Sequence, residues 1–223
     1  MEEVRLIAEA RLPTGAGDFM ARVYETSRGT QPLVLLASAP SDDRAALVRI
    51  HSECLTGDVF GSRRCDCGAQ LAMSLQRIGR VGGLLIYLRQ EGRGIGLANK
   101  LRAYALQEAG HDTVDANLAL GFQADQRDYG AAVAILRELG VARVRLLTNN
   151  PDKVASLESG GIAVVERVPI VVPPTPESEA YLRTKQLRLG HLLGWNPEPA
   201  RTDSSPRVRP IGRPLETAGG QRD

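Results

Sequence analysis

The chain has 223 residues, 43% of them hydrophobic, enough for one large domain or two small ones with an ordinary core. Its 28 basic and 26 acidic residues nearly cancel at +2, which excludes a global field for nucleic acid or an anionic membrane, so any anion site must be local. The longest apolar stretch, Leu33 to Ala39, falls far short of the roughly 20 residues that cross a bilayer, and Met1-Glu2-Glu3 opens no targeting signal, so a cytoplasmic protein is expected.

In chain order, apolar and polar residues alternate over Val4 to Leu12, Asp18 to Glu25, Pro32 to Ser38 and Ala46 to His51, which predicts the strands of a β meander. After Cys67 the period changes. Leu71, Leu75 and Ile78 mark one face of a helix, Gly83 to Arg89 reads as a strand, and Ile95 to Ala109 as a helix ended by Gly110. A helix over Tyr129 to Leu139 stops at Gly140, a strand covers Ala142 to Thr148, and a helix follows Pro151. Ile162 to Val172 reads as a buried strand, and a last helix runs to Leu193. The predicted fold class is α+β, a β-rich N-terminal half followed by alternating β and α elements in one domain over residues 1–195. No internal repeat is present, and residues 196–223, rich in Pro, Arg, Ser and Gly, predict a disordered tail.

The three cysteines, Cys54, Cys65 and Cys67, all fall within one short segment. An odd number disfavours a disulfide framework, whereas a thiolate trio fits a zinc site whose fourth position stays open for chemistry on a bound water. A closed structural site needs a fourth ligand, and of His51, His111 and His191 only His51 lies close in sequence.

Two loops follow strands and precede helices, where unpaired N–H groups can receive a phosphate. In Gln90-Glu91-Gly92-Arg93-Gly94-Ile95-Gly96 the glycines permit close backbone approach and Arg93 adds a fork of donors, although a plain tight turn explains the pattern equally. In Thr148-Asn149-Asn150-Pro151-Asp152-Lys153 the asparagines either cap the helix or flank a phosphate that Lys153 reaches. Asp125 or Asp128 caps the helix that follows, or Asp125 and Arg127 project to one side as base and phosphate clamp, and spacing does not choose between these.

The runs RIHSECLTGD over 49–58, RCDCG over 64–68, RQEGR over 89–93, NKLRAYALQ over 99–107, DTVDAN over 112–117 and LLTNNP over 146–151 resemble GTP cyclohydrolase II of riboflavin biosynthesis, across roughly residues 4 to 193. The resemblance implies zinc on Cys54, Cys65 and Cys67, and GTP contacts at Arg49, His51, Ser52, Glu53, Gln70, Glu91, Gly92, Arg93, Thr113, Thr148 and Lys153. It further implies Asp125 as proton acceptor, Arg127 as nucleophile toward the α-phosphorus, and Tyr104 near the ring opening. The implied reaction, the first committed step of riboflavin biosynthesis, converts GTP to 2,5-diamino-6-(5-phosphoribosylamino)pyrimidin-4(3H)-one, formate and pyrophosphate. Mg²⁺ would accompany the triphosphate, and a homodimer is implied. The neighbouring dihydroxybutanone phosphate synthase domain is not seen, so the single-function form is expected.

Glu91 is in addition read as the guanine-selecting group, because a carboxylate can accept both N1–H and the exocyclic amine. Arginine as nucleophile is chemically demanding, so electrostatic stabilisation is an alternative role for Arg127. Two other functions remain open at this stage: a related cyclohydrolase that keeps the formyl group, and a non-catalytic nucleotide-binding module with structural zinc.

Overall fold

The structure is a computed structural model that describes residues 2–37 and 45–194, and the expected tail lies outside the described residues. Seven strands form one mixed sheet in the order β1-β2-β3-β5-β4-β6-β7, consistent with the expected α+β class. β1 (Val4–Thr14) and β2 (Gly17–Thr26) make a long antiparallel hairpin, and β3 (Leu33–Leu36) continues it. There the meander ends. β4 (Ala46–Ser52) does not pair with β3 but lies parallel between β5 (Leu84–Leu88) and β6 (Arg143–Leu147).

The reason is visible in β4 itself, whose residues from Leu47 to His51 are all buried, as suits a central strand covered on both faces. Val48 and Ile50 point into a core shared with α5 (Gly130–Glu138) and α6 (Pro151–Ser159), while Leu47 faces α2 (Cys67–Val81) through Ile78. Fully burying a side chain such as Ile50 contributes about 1.5–3 kcal/mol. Arg49 and His51 alternate onto the Leu47 face, and are thereby buried beside the first turn of α2, where the cysteines lie.

Three expectations are corrected. The segment expected as a buried strand over Ile162 to Val172 is the edge strand β7 (Ala163–Val168), paired only with β6 and largely exposed, because its outer edge is uncovered and Pro169 lacks a ladder N–H. The last helix, α7 (Glu179–Leu189), stops earlier than Leu193 because Gly190 turns left-handed at φ 63°. A short helix not anticipated, α4 (Thr113–Ala119), is capped by Asp112, which accepts from the N–H groups of Val114 and Asp115. α1 (Leu55–Asp58) and α3 (Gly96–Glu108) complete the set, and no helix among the described residues is long and apolar enough to cross a membrane.

Candidate active site

The parallel strands β4, β5 and β6 end at one edge of the sheet, the place where open α/β sheets hold ligands. They deliver Ser52 to Cys54, the loop 89–95 and the loop 148–150 to two adjoining cavities. The first holds the cysteines with Glu53, Glu91, Gly92, Arg93, Tyr104 and Thr113, and the second holds Arg49, His51, Gln70, Thr148 and Lys153. Ser52, Cys67, Arg127 and Tyr181 line both. Every residue expected at the site is thus brought together except Asp125, which lines neither cavity and instead supports Arg127.

The sulfur of Cys54 stands 3.6 Å from that of Cys65, and all three sulfurs lie within 4.8 Å of one another. A tetrahedral zinc with bonds of about 2.3 Å sets its sulfurs about 3.8 Å apart, so the trio fits the metal. His51 does not join it, because its Nε2 is committed to Asp58 at 3.0 Å and its ring stacks on Tyr87. Asp58 also accepts from the N–H of Cys54 at 3.0 Å and the Tyr87 hydroxyl at 2.8 Å, which fixes the backbone of the first ligand.

Gly57 is packed against the trio: a Cβ there would lie 2.9 Å from the Cys65 sulfur and 3.1 Å from that of Cys54. Gly57→Ala is therefore expected to displace a ligand and weaken zinc affinity by at least about tenfold, the range for disturbed ligand geometry. Competition with a chromophoric chelator measures this, and parental affinity would contradict it.

Lys100, unforeseen in the sequence, donates to the Cys54 sulfur at 3.1 Å and to Glu91 Oε1 at 2.8 Å. Its position four residues before Tyr104 on α3 places both on one helical face, the signal by which it could have been found. Tyr104 has its pKa raised by burial first, so it is held as a neutral phenol, 3.4 Å from the Thr56 hydroxyl that neighbours Cys54. That suits a hydrogen-bonding role better than a base.

Glu91 does not have the free carboxylate that guanine reading requires. Its Oε2 accepts from the N–H of Leu55 at 2.6 Å, and its Oε1 from that of Gly92 at 2.7 Å as well as from Lys100. The Gly92 N–H is consequently not open to a phosphate either. Gly92 and Arg93 are both left-handed, at φ 63° and 62°, a strain of about 1–2 kcal/mol for the arginine. The Arg93 carbonyl, accepting from the N–H of Gln126 at 3.0 Å, holds it there. Glu91→Gln is expected to set an amide N–H₂ against one of these donors and to cost about 1–3 kcal/mol in urea unfolding, with the preference for GTP over ATP unchanged. Loss of that preference at parental stability would restore the base-reading role.

Asp125 and Arg127 form a two-pronged pair, with Nε at 2.9 Å from Oδ1 and Nη2 on Oδ2. Burial alone would raise the Asp125 pKa and lower that of Arg127, yet the pairing overrides it in both, leaving the aspartate lowered and the guanidinium raised. Both charges are reinforced. Lys153 donates to the Ile50 carbonyl at 2.8 Å, and burial, then Arg49, Arg127 and Lys185, depress its pKa strongly. Asn150 caps α6 by accepting from the N–H of Asp152 at 2.9 Å, while Asn149 is tied to Ile170.

His191 also lines the second cavity, and burial, followed by Lys185, Arg127 and Lys153, pushes its pKa down to about 3. The unfolded ring protonates below about 6.5 and the folded one does not, so its contribution is complete above that pH and declines by about 1.4 kcal/mol per unit as pH falls toward 3. In His191→Gln the denaturation midpoint is expected to fall less between pH 6.5 and 5 than in the parent. Equal slopes would show the ring to be accessible.

Fold and site together define an α/β protein with three cysteines placed to hold a metal ion beside a cationic cavity whose lining has no acidic residue. The chain belongs to the GTP cyclohydrolase II family, whose sequence profile matches residues 5–169. It is 56% identical over 188 residues to the riboflavin biosynthesis protein RibBA of Bacillus cereus, covering 83% of this chain and 47% of that protein. It is 54% identical over 196 residues to RibBA of Salinispora tropica, covering 86% and 49%. The chain thus spans about half the length of the curated relatives it matches. A two-domain 3,4-dihydroxy-2-butanone 4-phosphate synthase, RibBX of A. baumannii, superposes over 76% of this chain and 41% of its own with 20% identity and a TM-score of 0.45.

Proposed function

We propose that this chain hydrolyses GTP to 2,5-diamino-6-(5-phosphoribosylamino)pyrimidin-4(3H)-one, formate and pyrophosphate. The observation that carries the reading is the junction of the cysteine trio with a cavity presenting Arg49, Arg127 and Lys153 and no carboxylate. Buried donors without an acceptor, the Nε of Arg49, an Nη of Arg93 and the Nδ2 of Asn150, flank the two cavities, and phosphate oxygens supply such acceptors.

In this reading water is added across two C–N bonds at C8, releasing that carbon as formate, and the α–β phosphoanhydride is cut to release pyrophosphate. Zinc held by Cys54, Cys65 and Cys67 would supply a Lewis acid and lower the pKa of water. Tyr104 offers its hydroxyl beside the sulfurs, and Lys100 places a positive charge on the same side, offsetting part of the thiolate charge. Arg49, Arg127 and Lys153 hold the triphosphate, with Arg93 where the two cavities meet and Thr113 on the side of the nucleoside. Arg127, spanning both cavities, stabilises charge at the phosphorus. Among the described residues only the cysteines group as metal ligands, so Mg²⁺ enters with the triphosphate oxygens. A cytoplasmic homodimer belongs to the same reading.

Formate and pyrophosphate released from GTP with Mg²⁺ by the zinc-loaded protein test it, with one of each expected per GTP consumed. Pyrophosphate without formate would indicate an enzyme that retains the formyl group or only cleaves phosphate, and neither product would leave a binding module.

A further inference from the structure

Helix α7 lies beyond the segment that the family profile matches, yet it forms a wall of the cationic cavity. Its way of packing is unusual for a surface helix. Only Leu182 and Lys185 are buried along it, so the helix is seated through a lysine as much as through an apolar stripe. Burying a lysine is costly unless it is paired, and Lys185 is paired: its Nζ donates to Asp66 Oδ1 at 2.6 Å and stands 4.6 Å from the centre of the Tyr181 ring.

The pair is the start of a chain. Asp66 Oδ2 accepts from Gln70 Nε2 at 2.5 Å, and Gln70 Oε1 accepts from Arg49 Nη2 at 2.7 Å. Arg49 in turn donates to the Leu147 carbonyl at 2.9 Å, which leaves its Nε without a partner beside the cavity. Tyr181 faces the other way as well, with the Arg93 guanidinium 5.8 Å from its ring centre. Past the left-handed Gly190, the N–H of Leu192 donates to the Asn149 carbonyl at 2.8 Å, fastening the end of α7 to the loop after β6. Residues far apart in sequence thus converge where Arg49 and Arg127 already concentrate positive charge.

We infer that α7 is part of the active centre: Lys185, through Asp66 and Gln70, is a positioning residue for Arg49 at the phosphate end, and Tyr181 positions Arg93 between the two cavities. This inference rests on the reading of the second cavity as the triphosphate site. Lys185 lines that cavity and not the first, so its effect falls on the polyphosphate and not on the nucleoside.

The test is calorimetric binding of inorganic tripolyphosphate and, separately, of guanosine to the zinc-loaded full chain and to Lys185→Met, Lys185→Arg and Tyr181→Leu. Lys185→Met is expected to weaken tripolyphosphate by at least about tenfold while guanosine is unchanged, and Lys185→Arg to recover most of the loss. Tyr181→Leu leaves every charge in place and guards against a folding defect in Lys185→Met; it is expected to weaken tripolyphosphate several-fold. Tripolyphosphate affinity within twofold of the parent in both Lys185→Met and Tyr181→Leu would overturn the inference. So would an equal loss of both probes without rescue by arginine. If the parent itself binds no tripolyphosphate, the triphosphate reading of the cavity fails, a result separable from failure of the variants alone.

Discussion

Cys54→Ser is expected to abolish formate release and to leave the purified protein nearly free of zinc. A serine hydroxyl stays protonated where the thiolate is the ligand, and two sulfurs do not retain the metal at ordinary concentrations. Spreading the roughly 10–16 kcal/mol of a thiolate-rich zinc site over its ligands assigns about 3–5 kcal/mol to one of them, a loss of about 10²–10⁴ in affinity. The neighbourhood magnifies the effect. Cys54 is the ligand whose backbone is held by Asp58 and whose sulfur receives Lys100, so its loss also releases the lysine toward Glu91 alone. Metal content by atomic emission and formate by coupled dehydrogenase assay check this together. Parental formate release from a zinc-free variant would remove the metal from the chemistry.

Arg127→Lys is expected to lower release of both products by about 10³, within the range for losing an arginine at transferring phosphate. Lysine keeps the positive charge but cannot match both oxygens of Asp125, to which Arg127 Nε donates at 2.9 and 3.0 Å. It is a better probe than Arg127→Ala, which would leave a half-buried carboxylate unpaired and cost about 1–3 kcal/mol of stability. The pairing also bears on mechanism. A guanidinium whose pKa is raised further by its own aspartate is a poor nucleophile, and an aspartate stabilised as the anion is a poor base toward it. Quenching turnover of α-labelled GTP in SDS and EDTA at mildly alkaline pH, where a P–N bond survives, is therefore expected to leave the protein unlabelled, and label on Arg127 would establish the covalent role instead.

The extent to which the site was legible follows the distance along the chain over which each part is assembled. The cysteine trio was readable because chelation draws ligands from one strand end and the helix start just after it, and the sulfurs do meet within 4.8 Å. The loops after β5 and β6 were readable as candidate turns, and the strands and helices from α2 to α6, apart from α4, were placed within a few residues. β4 was misread as a meander strand because its alternation of apolar and polar residues has the same period whether the polar face meets water or, as with Arg49 and His51, a buried site. The partners of Glu91 were not legible because a carboxylate in a loop carries no sign of which donors will reach it, and here Leu55 and Lys100 come from other elements.

By itself the sequence determined the cysteine trio that could hold a metal, the cation-bearing loops and, through its motifs, the family. Only the tertiary structure decided that β4 lies between β5 and β6, that Glu91 is engaged by Leu55 and Lys100, and that Lys185 reaches Asp66 across the fold. The physical reason is range: ligand spacing and capping are set by a few neighbouring dihedrals, whereas a buried ion pair is selected by strand order and by the cost of leaving a charge unpaired, which no local pattern encodes.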